Sequence, residues 1–181
     1  MHTVDEVGAH HVALRSIGFS SMRITVILAV TTSGRKLPPL LIWKGKQSAE
    51  IQKIGGCLVM TQEKVWVNQQ LLLKWLQHVF PRFRAEGNYI VWDSMHAHIG
   101  KEVKAYCEAK KILMAVVPGG LTPYLQAGDI GIYKSFEDNM STITDAWKAF
   151  DNVEYTKGGS LKMPSKNVVV QWVLEAGSEL S

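Results

Sequence analysis

The 181-residue chain has only two cysteines, Cys57 and Cys107, and neither has a partner at metal-ligand spacing. A disulfide framework and a zinc ribbon are thereby excluded, and two buried thiols are the simplest reading. Long apolar runs are also missing. The longest are of strand length, well short of the roughly 20 residues that span a bilayer. The opening, Met1-His2-Thr3-Val4-Asp5-Glu6, is polar and acidic, with no apolar stretch behind a basic start. No secretory signal is expected from it, and the chain reads as intracellular. Charge is modest: charged residues make up 20% against 46% hydrophobic, which is a globular balance and not a disordered one. The net charge of +4 fits an anionic partner without identifying one.

Residues 1–21 hold glycines and scattered histidines and read as an irregular N-terminal segment. Residues 24–30 are β-branched and nearly all apolar, the pattern of a strand buried on both faces. Turn chemistry at Thr31-Thr32-Ser33-Gly34 leads to a second apolar run over residues 40–43, so a hairpin is expected. A short strand fits residues 57–60. Asn68 can cap a helix starting at Gln69, where Leu72, Trp75, Leu76, Val79 and Phe83 recur at three- and four-residue steps and Pro81 kinks or ends the run. Residues 89–92 form a short buried strand with Asp93 at its carboxyl end; a helix over residues 99–110 and a strand over residues 112–117 follow. Tyr133, Phe136, Met140, Ile143, Trp147 and Phe150 place a core-facing stripe on a long helix over residues 131–150. Ser165 can cap a last helix carrying Val169, Trp172 and Val173. A hairpin followed by alternating strands and helices predicts a mixed α/β sheet flanked by helices.

Two acids stand out by placement. Asp93 ends a buried strand, and Asp129 precedes the long helix. Desolvating a carboxylate costs several kcal/mol unless something compensates. Capping the following helix is one compensation, and a hard divalent cation such as Mg²⁺, held by a few carboxylates and substrate phosphates, is another. Position alone leaves both open. His96 and His98 beside Asp93 read as a structural or exposed pair, since three ligands from one short loop seldom close a zinc site. Lys44, Lys46, Lys53, Lys101, Lys104, Lys110 and Lys111 serve equally as phosphate contacts or as solvated surface.

These segments resemble a known family. The run Thr-Val-Ile-Leu-Ala-Val-Thr-Thr-Ser-Gly-Arg-Lys-Leu-Pro-Pro-Leu-Leu-Ile-Trp-Lys-Gly-Lys over residues 25–46 is similar to the hairpin of DDE superfamily endonucleases related to pogo, Tigger, jerky and centromere protein B. Trp92-Asp93-Ser94-Met95-His96-Ala97-His98 resembles that family's second-carboxylate motif, and residues 117–131, around Gln126-Ala127-Gly128-Asp129-Ile130-Gly131, its third. The resemblance implies an RNase H-like fold and metal-dependent cutting and joining of DNA. It places catalytic and metal-binding roles on Asp93 and Asp129, with Mg²⁺ or Mn²⁺ as the implied cofactor.

The family's first carboxylate ends the central strand, in a Met-Asp-Gln-Thr-like motif that has no match here; Asp5 and Glu6 fall in the linker after it. The resemblance therefore leads to five expectations. The first, central strand is missing; residues 22–150 form the endonuclease-like domain, and residues 151–181 a linker and C-terminal helix. Catalysis is absent. DNA binding is weak and non-specific, without a preceding helix-turn-helix module, and residence is nuclear. The alternatives are a protein-interaction fragment that pairs through exposed strand edges, or self-associates, and an active metal-dependent endonuclease. Neither a membrane nor a small-molecule substrate is expected.

Overall fold

The computed structural model describes residues 33–46, 50–80, 88–121, 131–149, 153–159 and 161–180, apart from positions 47 and 49, together with 24–31, 48, 124 and the backbone of 5–13. Seven strands and four helices of eight residues or more occur among them. In chain order the strands are β1 (Asp5–Ala13), β2 (Ile24–Thr31), β3 (Leu40–Lys44), β4 (Gln52–Ile54), β5 (Cys57–Gln62), β6 (Asn88–Asp93) and β7 (Ile112–Val117). The helices are α1 (Gln69–Val79), α2 (Lys101–Ala109), α3 (Tyr133–Ala149) and α4 (Lys166–Ser178).

One mixed sheet runs β4-β5-β3-β2-β1-β6-β7. The hairpin is antiparallel, with Ile24 opposite Trp43 and Ile27 opposite Leu40. Gly34 closes its turn at φ 78°, a left-handed conformation that costs glycine little, and donates its amide to the Thr31 carbonyl at 2.9 Å. β6 runs parallel to both β1 and β7.

Side chains alternate across the pleat, so each strand feeds two cores. Ile24, Val26, Leu28, Leu41, Trp43, Cys57 and Val59 pack under α3 and α4. Ile27, Ala29, Leu40, Ile42, Leu58, Met60, Ile90 and Trp92 pack under α1 and α2. This is why the residue 24–30 run is apolar throughout: it is covered on both sides. The helices begin where capping chemistry allows. Asn68 Oδ1 accepts from Leu71 N at 2.9 Å, and Ser165 Oγ accepts from Val168 N at 3.4 Å. The long stripe is core packing: Tyr133, Phe136 and Met140 are buried, and Trp147 meets Trp172 edge-on at 5.4 Å. Phe150, Pro81 and Phe83 lie outside the described residues.

Two elements differ from the sequence-based expectation. Segment 1–21 is not irregular throughout, since β1 forms within it. Within the sheet, β1 lies between the hairpin and β6. Gln52–Ile54 adds an edge strand of three residues that its polar composition did not announce.

Candidate active site

Asp93 is the last residue of β6, an inner strand with β1 on one side and β7 on the other. Ligands collect at the carboxyl ends of such strands, because helix starts and loops converge there. Its carboxylate is held tightly. Oδ1 accepts the Met95 amide at 2.9 Å and sits 2.6 Å from His98 Nδ1. A carboxylate oxygen only accepts, so Nδ1 carries the proton of that bond. His98 is buried, its ring stacked on the indole of Trp92 with centroids 4.6 Å apart and planes within 2°. The outer ring nitrogens, Trp92 Nε1 and His98 Nε2, are buried without a hydrogen-bond partner among the described residues.

This geometry separates the two histidines that the sequence presents together. His98 folds back onto Asp93 and is structural, while His96 is exposed. Helix capping is not Asp93's role: the cap of α2 is Gly100, and Asp93 closes a turn onto Met95 within the loop before it. The sequence signal for the Asp93–His98 pair is an acid with a histidine five positions later, in a loop that begins on a buried tryptophan.

Asp129 lies outside the described residues. Among those described, three His, Cys, Asp or Glu side chains gather nowhere as a metal-binding group. DDE endonucleases generally use a divalent metal, and the described donors reduce to one carboxylate already engaged by two N–H groups. That set does not by itself fit a hard cation, which takes several oxygen ligands.

The seven candidate lysines are all exposed. The thiols are not: burial pushes both Cys57 and Cys107 up to about 11, so neither is a nucleophile near neutrality. Burial also raises the Tyr106 hydroxyl. No helix among the described residues is long and apolar enough to cross a membrane.

A mixed sheet with helices on both faces and an acid at the carboxyl end of an inner strand defines an α/β domain consistent with an RNase H-like fold. The chain belongs to the DDE superfamily endonuclease family, whose model matches residues 21–179. It is 27% identical to a mouse (Mus musculus) protein described as "Pogo transposable element with KRAB domain", over 99% of this chain and 30% of that protein. The human (Homo sapiens) protein of the same description matches equally, over the same shares. A human protein described as "Pogo transposable element with ZNF domain" is 25% identical over 70% of this chain and 9% of its own length. The chain thus spans less than a third of the length of these relatives.

Proposed function

We propose that this chain is a transposase-derived DDE domain that holds DNA through its phosphate backbone in the nucleus and does not cut it. Asp93 and Asp129 stand at the places of the family's second and third carboxylates, where an active relative would hold Mg²⁺ or Mn²⁺.

The observation that carries the inactive reading is the register of β1 against β6. Asp5 pairs with Tyr89, Glu6 with Ile90 and Val7 with Val91. At about 3.3 Å per residue, Asp5 and Glu6 lie roughly 10–13 Å short of the Asp93 end. Counting on from Val7, the residues alongside Trp92 and Asp93 are Gly8 and Ala9, with His10 and His11 next, and none is an acid. A site built from fewer carboxylates loses both charge and positioning for metal-assisted phosphodiester chemistry.

The test is duplex retention as a function of salt, run beside a cleavage assay with Mg²⁺ or Mn²⁺. Retention that falls steeply with salt and persists in Asp93→Asn and Asp129→Asn, without cleavage, is the expected result. Metal-dependent cutting abolished by those substitutions would overturn the inactive reading; no retention at low salt would overturn the DNA-holding one.

A second reading has its own support. β7 is an edge strand of six apolar residues, Ile-Leu-Met-Ala-Val-Val, on which Leu113 is 57% exposed and Val116 36%. Such an edge is a template for another strand. Sedimentation analysis distinguishes the two: strand addition predicts association that Val116→Lys abolishes, and a strictly monomeric chain refutes it.

A further inference from the structure

Trp66 is 70% exposed, although its neighbours on either side, Val65 and Val67, pack against the inner core. Exposing an indole forfeits most of its burial energy, so a chain free to rearrange would tuck it away. This segment is not free. Thr25 Oγ1 donates to the Val65 carbonyl at 2.6 Å, and the buried Gln62 donates its amide to the carbonyl of Trp66 itself. Pinned at two consecutive carbonyls, the backbone holds the ring outward.

The indole forms one side of a cleft of about 690 Å³, within the usual range for a ligand site. The loop that Asp93 fixes lines the same cleft through Met95, His96 and Ala97. The carboxamides of Asn68, Gln69 and Gln70 stand at the start of α1. The carboxamides of Gln69 and Gln70 each offer a donor and an acceptor, the complement of a base edge, while Asn68, whose Oδ1 caps α1, adds its amide as a donor. Among the described residues that line the cleft there is no lysine or arginine, and the charged acid is Glu102. A phosphate is therefore disfavoured there, whereas a base with an exocyclic amine can donate to the carboxylate. A held aromatic face, amides at its side and an anion-repelling floor describe a site for a base, with the backbone left outside.

We propose that this cleft binds an unpaired nucleobase of a DNA strand, stacked on Trp66 beside the Asp93 loop. The inference rests on the DNA-holding reading and names the part of the DNA that this region takes.

The experiment compares two labelled oligonucleotides of equal length by fluorescence anisotropy at low salt, one fully paired and one with a short unpaired stretch at its centre. The intact chain is expected to prefer the unpaired form by about fivefold or more, the range of base–aromatic stacking. Trp66→Ala should abolish the preference and leave duplex affinity within about twofold, with Trp66→Phe restoring much of it. Because the ring lies outside the core, near-UV circular dichroism of both variants should retain the signal of the buried tryptophans. Equal affinity for the two oligonucleotides in the intact chain, or a preference that survives Trp66→Ala, overturns the proposal while the DNA-holding reading stands. Retention of neither oligonucleotide overturns both.

Discussion

Replacing Asp93 separates a structural carboxylate from one held only for chemistry. In Asp93→Ala the Met95 amide loses its acceptor, and Nδ1 of His98, which is 1% exposed, loses its short one and keeps only the carbonyl of residue 93 at 3.3 Å. Water cannot replace the carboxylate at a buried ring N–H, and leaving that donor with one long bond costs about 1–3 kcal/mol. The Met95 residue is only half-buried, so its amide adds less, about 0.5–1.5 kcal/mol. The sum is roughly 2–4 kcal/mol. For a chain of this size each kcal/mol moves the midpoint by about 2–4 °C, so Tm should fall by roughly 5–15 °C. Asp93→Asn keeps Oδ1 as an acceptor of the same shape and should lose only about 1 kcal/mol. The assay is a thermal melt followed by near-UV circular dichroism in metal-free buffer, with the buried Trp75 and Trp92 reporting. An Asp93→Ala chain that melts within 2 °C of the parent, or above it, would refute the reasoning. That outcome would mean the carboxylate is a strained guest, and that His98 and Met95 gain nothing from it.

Other outcomes follow from the packing and the titrating groups. The folded chain keeps both thiol protons up to about 11, against an unperturbed value of 9.0. The unfolded chain loses those protons first, so stability is intact below pH 9 and declines from pH 9 to 11, by up to roughly 2–3 kcal/mol per thiol. Chemical denaturation across that range should show the decline, and Cys57→Ala with Cys107→Ala should flatten it. Phe136→Ala empties a fully buried site under α3 and should cost about 3–5 kcal/mol, read from urea midpoints. In Gly100→Ala the new methyl group falls 2.1–2.5 Å from the side-chain amide of Gln69, which must swing away. That side chain is flexible, so stability should change by less than about 1 kcal/mol, measured by the same melts.

The sequence made those parts legible whose signals are local. Asn68 and Ser165 announce their helices because a side-chain oxygen three residues upstream of an amide caps regardless of tertiary context. The Tyr133-to-Trp147 stripe is legible because a helix packed on a sheet buries a single face. Asp93 is visible as the polar end of an apolar strand. β1 is not, since Gly8, His10 and His11 carry no strand propensity; its extended form comes from pairing with β2 and β6, partners distant in sequence. The burial of His98 is hidden for the same reason, because a loop histidine gives no sign of the ring on which it stacks. Trp66 escaped notice as one tryptophan among six, and only the inward packing of its neighbours makes its exposure significant.

The sheet's centre also sets an order in time. β1 and β2 are near neighbours in the chain and can pair as soon as both exist. The other edge of β1 waits for β6, whose pairing of Asp5 with Tyr89 closes a long loop. Loop closure of that kind precedes any energetic return and slows folding. A half-sheet made of β1, the hairpin and β5, if it forms first, would carry an open flank until Asn88–Asp93 docks. During that interval β1 offers its free edge to any extended chain nearby, and the arrival of β6, carrying Asp93, both withdraws that edge and delivers the carboxylate.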